Sequence, residues 1–99
     1  MPVEKALPDH QLNNVLRWCK TVSLDRLKTF QVVVDEAMVR LRLTPDPSKA
    51  VPGLVAGSDV FDSGSIKTWL SMLNPGRRAD REAKAQVVQI HATLMTRMG

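Results

Sequence analysis

Residues 23–43 read SLDRLKTFQVVVDEAMVRLRL and form the longest amphipathic stretch of the chain. Its apolar residues alternate by three and four positions, which is the spacing of one buried helix face. They are Leu27, Phe30, Val34, Ala37 and Leu41. The three valines at 32–34 favour strand by intrinsic preference. Because the three/four spacing continues on both sides of these valines, we predict a helix over 23–43.

Three shorter apolar stripes with helical spacing of three and four positions predict helices over about 9–20, 65–73 and 80–97. They consist of Leu12, Val15, Leu16 and Cys19; of Ile66, Trp69, Leu70 and Leu73; and of Ala83, Val87, Ile90, Leu94 and Met98. Asp9 is expected to cap the first helix, and Ser63 or Ser65 the third. Asn74, Pro75 and Gly76 then stop the third helix.

Residues 44–64 form an irregular connection, because three prolines and three glycines interrupt them. Several apolar side chains in this stretch need cover, so we expect a packed connection with one helical turn near 53–56. Residues 1–8 are expected to form a flexible N-terminal arm. The chain as a whole is predicted to be a single all-α domain, 1–99, with short antiparallel helix packing.

The helix over 23–43 carries more apolar width than one short helix covers, since Leu24, Val33 and Met38 widen its stripe. We therefore predict a homodimer with this helix at the interface. The expected interface residues are Leu27, Phe30, Val34, Met38 and Leu41.

Length and composition bound the class of protein. A chain of 99 residues with 43% hydrophobic and 24% charged residues is ordinary for one folded domain. Its single cysteine excludes an internal disulfide and indicates a reducing, cytoplasmic setting. The first residues lack a signal-peptide pattern, and no apolar run is long enough for a membrane span, so we expect no membrane association.

The residues that carry most enzyme chemistry are scattered. His91 has no ligand-type residue three or four positions away, and Cys19 has no histidine within local reach, so both are interpreted as structural. Asp35 and Glu36 are neighbours and point apart on a helix. The glycines match neither a dinucleotide-binding nor a phosphate-loop motif. We therefore predict no catalysis, no metal and no cofactor.

Positive charge is concentrated in the last third of the chain. Residues 65–99 contain six lysines and arginines but only two carboxylates, a net +4 that equals that of the whole protein. Cations beside a helix N-terminus favour anions, because the unpaired N–H groups there attract negative charge as well. The candidate nucleic-acid-binding residues are Arg77, Arg78, Arg81, Lys84 and Lys67.

The stretch from Asp62 to Leu70, DSGSIKTWL, resembles the recognition helix of phage-repressor domains, in which polar residues precede an Ile/Val-x-x-Trp pattern. The resemblance implies a helix-turn-helix-like corner. Pro52, Gly53 and Gly57 stand where such domains have a compact preceding helix, and the turn length also differs. No family is assigned from this stretch.

Two functions of different classes follow. The first is a small regulatory nucleic-acid-binding protein that grips duplex phosphates, since exposed aromatic residues for stacking on single strands are few. The second is a regulatory adaptor or inhibitor that docks a protein partner through an apolar helix face. The two differ in salt dependence, because phosphate binding weakens steeply with added salt and apolar docking does not.

Overall fold

The computed structural model describes residues 6–52, 63–76 and 81–98. These residues form four α-helices, α1 Asp9–Thr21, α2 Leu24–Arg40, α3 Ser63–Met72 and α4 Arg81–Met98, with a single 3-10 turn at Pro47–Lys49. No strand occurs in these three ranges, which confirms the all-α class. None of the helices described is long and apolar enough to cross a membrane.

The four predicted stripes form one core. Every stripe residue of α2 and α3 is buried, and so are most of those of α1 and α4, while Leu12 and Met98 are half-buried. The three valines of α2 remain helical and divide between surfaces: Val34 is fully buried, whereas Val32 is 58% exposed. Helical periodicity therefore outweighs the strand preference of this run.

Helix α4 is the centre of the domain and packs against α1, α2 and the 3-10 turn, while α3 packs against α2. The two helices that pack against α4 differ in direction relative to it. Gln31 and Asp35 of α2 face Met95 and His91 of α4, so α2 and α4 are antiparallel. Leu7, two residues before α1, lies near Gln86, and Cys19 near the end of α1 lies near Arg97, so α1 runs parallel to α4. The expected uniformly antiparallel packing is wrong for this pair.

Two polar side chains of α4 form hydrogen bonds with the backbone of non-helical segments. Gln86 is buried; its Oε1 accepts from the Leu7 N–H at 2.7 Å and its Nε2 donates to the Leu7 carbonyl at 2.9 Å. Thr93 Oγ1 accepts from the Val51 N–H at 3.2 Å. Leu7 was expected in a flexible arm, but its side chain is buried and both of its backbone polar groups are bonded.

The starts of α1 and α3 differ from the prediction. Asp9 is the first residue of α1, with Pro8 in the N-cap position, so it is not the cap. Ser23 occupies the N-cap of α2 without a side-chain hydrogen bond. Helix α3 begins at Ser63, which takes two residues from the expected connection. The helical turn expected near 53–56 lies outside the described residues, and a 3-10 turn capped by Asp46 precedes it.

Helix α2 ends at Arg40, three residues before the predicted end, because Arg42 adopts a left-handed conformation with φ of 58°. The Leu43 N–H donates to the Met38 carbonyl at 2.9 Å and the Arg42 N–H to Val39 at 3.1 Å. These two bonds form a Schellman motif, in which glycine normally takes the left-handed position. Leu43 then packs against the core instead of continuing the helix.

The five residues expected at a dimer interface lie in the core of a single chain. Leu27, Phe30 and Val34 have no exposed surface, and Met38 and Leu41 are 5% and 3% exposed. The apolar width of α2 is covered by helices of its own chain, so these five side chains offer no surface to a second copy. The apolar residues that α2 does expose are Leu24, Val32 and Val39.

Replacing Phe30 with Asp should unfold the protein. Burying a carboxylate without a partner costs several kcal/mol, and the lost packing of a core Phe adds about 3–5, against a typical total stability of about 5–15. The measurement is thermal denaturation followed by circular dichroism. The matched control is Val39→Asp on the same helix, where the side chain is 78% exposed and the fold should survive. A folded, monomeric Phe30→Asp variant would contradict this placement of the core.

Replacing Arg42 with Gly should raise the free energy of unfolding. A left-handed residue with a Cβ costs roughly 1–2 kcal/mol, and the extra freedom of unfolded Gly takes back about 0.5–1, so the expected gain is up to about 1.5 kcal/mol. The side chain of Arg42 is exposed, which makes the backbone the main determinant. Arg42→Ala retains the Cβ and should give no such gain in urea denaturation; an equal gain from both variants would refute the strain argument.

Candidate nucleic-acid interface

The predicted basic cluster begins at the N-terminal end of α4. Arg81 is the first residue of this helix and its side chain is exposed. Lys84 lies three positions later on the same face, half-buried. Arg77 and Arg78 lie outside the described residues; in the sequence they directly follow Gly76. Arg81 and Lys84 are thus the described members of the cluster at this corner.

Lys84 joins the start of α4 to the turn after α3. Its Nζ donates to the Pro75 carbonyl at 2.9 Å, and the Gly76 N–H in the same turn donates to the Asn74 side chain at 2.9 Å. One of the three ammonium protons is used in this way, and the charge is not neutralised because the acceptor is a carbonyl. Lys84 therefore has a structural role and still contributes positive potential at the corner.

Lys67 lies elsewhere. It belongs to the N-terminal half of α3, with about 8 Å of helix between it and Met72. It lines a cleft with Arg26 of α2 and Trp18 of α1. The structure therefore groups Lys67 with Arg26, which is not among the predicted site residues, and neither Arg81 nor Lys84 is among the residues that line this cleft. Arg26 lies on the exposed side of α2, and its spacing gives no signal of this neighbour on α3.

Helix α3 is buried along one face, as expected for a helix that packs against a single neighbour. Ile66, Trp69 and Leu70 are buried, and Ser65 and Thr68 are exposed. Its partner is α2, whereas α4 packs against α1, α2 and the 3-10 turn. The segment that would correspond to the first helix of a helix-turn-helix falls mostly within 53–62, outside the described residues.

Two further arginines bind carbonyl oxygens at helix ends. The guanidinium of Arg40 donates to the Leu70 carbonyl in the last turn of α3. Arg97 Nη1 donates to the Cys19 carbonyl at 3.3 Å, near the end of α1. Cations are favoured at helix C-termini, where carbonyl groups lack intrahelical partners. These side chains connect α2 to α3 and α4 to α1.

His91 is buried, as expected, but it has a partner on another helix. Its Nε2 lies 3.3 Å from Asp35 Oδ1 on α2, and its Nδ1 is buried without a hydrogen-bond partner. The residues three or four positions from His91 on its own helix give no signal of this partner. The antiparallel register of α2 and α4 brings Asp35 into reach, and that register follows from tertiary packing alone.

A cleft beside the starts of α1 and α4 is acidic. It has a volume of about 610 Å³ and is lined by Asp9, Asp46 and Glu82, with Lys49 as the cation. Hydrogen bonds from the Ser48 hydroxyl and N–H hold the pKa of the Asp46 carboxyl below its usual value, and Lys49 adds to this effect. In the described ranges, no three His, Cys, Asp or Glu side chains are grouped to hold a metal ion. A cleft with three carboxylates repels phosphate.

Comparisons of the chain with protein-family models, with curated proteins and with solved structures find no match. The functional interpretation therefore rests on the residues and their geometry.

Cys19 should not react with thiol reagents while the protein is folded. Its side chain has no exposed surface, and burial raises the pKa of the thiol to about 12, although the charge of Arg97 acts in the opposite direction. Near pH 8 the folded protein therefore contains neither an accessible thiol nor a thiolate. A colorimetric thiol assay should detect no reaction in buffer and one thiol per chain in guanidinium chloride. Rapid labelling of the folded protein would contradict this burial.

Proposed function

We propose that this protein is a small regulatory nucleic-acid-binding protein that holds the phosphates of a duplex at the N-terminal corner of α4. The observation that supports this most directly is that Arg81 and Lys84 lie within the first turn of one helix, beside the turn 74–76. The neighbouring sequence adds Arg77 and Arg78, and the protein has a pI of about 9.7. We place this activity in the cytoplasm.

The corner suits phosphate for two reasons that act together. The first N–H groups of a helix have no intrahelical acceptor and attract anions, and the helix dipole adds partial positive charge. Cationic side chains at the same end increase this potential, and Arg81 makes no hydrogen bond or ion pair within the described residues. Phosphate contacts of this kind set affinity and position on a duplex without reading its sequence.

A second candidate is docking of a protein partner. The observation that favours it is the pair Val32 and Val39, which are 58% and 78% exposed and lie seven positions apart on one side of α2. An apolar cleft of about 420 Å³ lies between the connection and α4, lined by Pro45, Pro47 and Met95 among others. Homodimerisation stays a prediction, now through a surface other than the five core residues.

Replacing Arg77 and Arg78 together with Ala should weaken duplex binding at least tenfold, about 1.4 kcal/mol, because phosphate contacts are lost. Arg81→Gln should weaken it in the same direction. The slope of log affinity against log salt should fall by roughly one for each contact removed, with no change in sequence preference. The measurement is fluorescence anisotropy with duplex DNA and duplex RNA at two salt concentrations.

The matched control is Lys28→Gln, which removes one exposed positive charge from α2, away from the corner. It should bind duplexes nearly as well as the wild type. If the Arg77/Arg78 variant is folded and binds as the wild type does, or if the wild type binds no duplex at low salt, the nucleic-acid proposal fails. Binding of a protein partner that Val39→Asp abolishes would then support the second candidate.

A further inference from the structure

A second cationic feature lies where α1, α2 and α3 meet. It is a cleft of about 290 Å³, close to the roughly 300 Å³ at which ligand pockets begin. Each of the three helices contributes to its lining, and the described lining residues are Trp18, Arg26, Thr29, Phe30, Ser63 and Lys67. This cleft goes beyond the proposed duplex surface, because its cations lie on different helix segments from Arg81 and Lys84.

The charges of this cleft are unbalanced. Arg26 and Lys67 approach it from α2 and α3, and no carboxylate of the described residues lines it. Neither side chain makes a hydrogen bond or an ion pair within the described ranges. Two cations that face one cavity repel each other, and an anion between them removes that repulsion and receives charge-assisted hydrogen bonds from both. The acidic cleft beside Asp9 and Glu82 shows that such a deficit of carboxylates is not general on this surface.

The uncharged side chains that line the cleft indicate which other chemical groups its ligand carries. Trp18 and Phe30 pack edge to face, with ring centroids 5.1 Å apart and an interplanar angle of 77°. Thr29 and Ser63 add hydroxyl oxygens; the Thr29 hydroxyl donates to the Asp25 carbonyl at 3.2 Å, so its oxygen is left to accept from a ligand. The cleft therefore combines cations, aromatic surface and hydroxyl groups in a volume far too small for a duplex.

We propose that this cleft binds a phosphate monoester that carries a flat ring, the chemical class of nucleoside monophosphates. The guanidinium of Arg26 and the ammonium of Lys67 bind the phosphate, since arginine and lysine are the side chains that bind phosphate in proteins. The ring of the ligand packs against Trp18, and its polar groups meet the hydroxyls of Thr29 and Ser63. The phosphate supplies most of the affinity.

Isothermal titration calorimetry with adenosine monophosphate tests the site. The wild type should bind saturably with one site per chain, adenosine should show no binding, and inorganic phosphate should bind more weakly than the monophosphate. Arg26→Gln and Lys67→Gln should each weaken binding at least tenfold. Lys28→Gln, which removes a charge from α2 outside the cleft, should leave it unchanged. Circular dichroism checks that each variant is folded, which we expect since neither cation is buried.

Tryptophan emission locates the ligand. Trp18 lines the cleft, whereas Trp69 is buried, with 7% of its surface exposed. Binding should change the emission of the wild type, and Trp18→Phe should lose that change. An unchanged response in Trp18→Phe places the ligand elsewhere and overturns the proposal. So does equal affinity for adenosine and its monophosphate, or wild-type affinity in a folded Arg26→Gln variant.

The duplex-binding proposal and the cleft proposal can be overturned independently of each other. Loss of duplex binding in Arg81→Gln with retained monophosphate binding supports two distinct sites, as does the reverse pattern in Arg26→Gln. A wild type that binds duplexes but not the monophosphate overturns the cleft proposal alone. A wild type that binds the monophosphate but no duplex at low salt supports the cleft and overturns the proposed function.

Discussion

The structure depends on the enclosure of α4. This helix packs against α1, α2 and the 3-10 turn, and it buries Gln86, His91 and Thr93 as well as apolar residues. A buried polar group is costly unless it is hydrogen-bonded, so each of these side chains constrains what lies beside it. Gln86 binds the backbone at Leu7, Thr93 binds the backbone at Val51, and His91 lies beside Asp35. Segments without regular structure are thereby held to the central helix.

The sequence predicts the helices well because their apolar stripes are strongly periodic, and it fails where tertiary partners decide. The stripe of α2 was assigned to a dimer interface because its apolar width exceeds what one short helix covers. Helix α4 instead buries residues on several sides, including Ala92 and Thr93, and the core residues of α2, such as Phe30, are buried within their own chain. The end of α2 was predicted three residues too late for a local reason. Leu43 continues the apolar pattern of the helix, but Arg42 adopts a left-handed backbone conformation that ends it.

The candidate site shows the same division. Clustering of charge along the chain groups Arg81 with Lys84, and both lie in the first turn of α4, where positions three apart share one helix face. It cannot pair Lys67 with Arg26, since these residues are 41 positions apart and meet only through the packing of α3 on α2. Nor does it show that the Lys84 ammonium binds the Pro75 carbonyl. Proximity in sequence predicts charge density, and the fold decides which cations act together.

A basic protein of this size must stay folded despite repulsion between its cations. Hydrogen bonds from several of these cations to backbone carbonyl oxygens offset that repulsion. Arg40, Lys84 and Arg97 donate to carbonyl oxygens at helix ends or in a turn. Such acceptors carry partial negative charge, so each bond stabilises the fold while the side chain keeps its full positive charge. Pairing with carboxylates would give similar anchoring but would neutralise the surface. The net +4 is therefore compatible with tight packing. Arg26, Lys67 and Arg81 are among the cations that have no partner in the described parts of the chain, so their N–H groups are left for the anions proposed above.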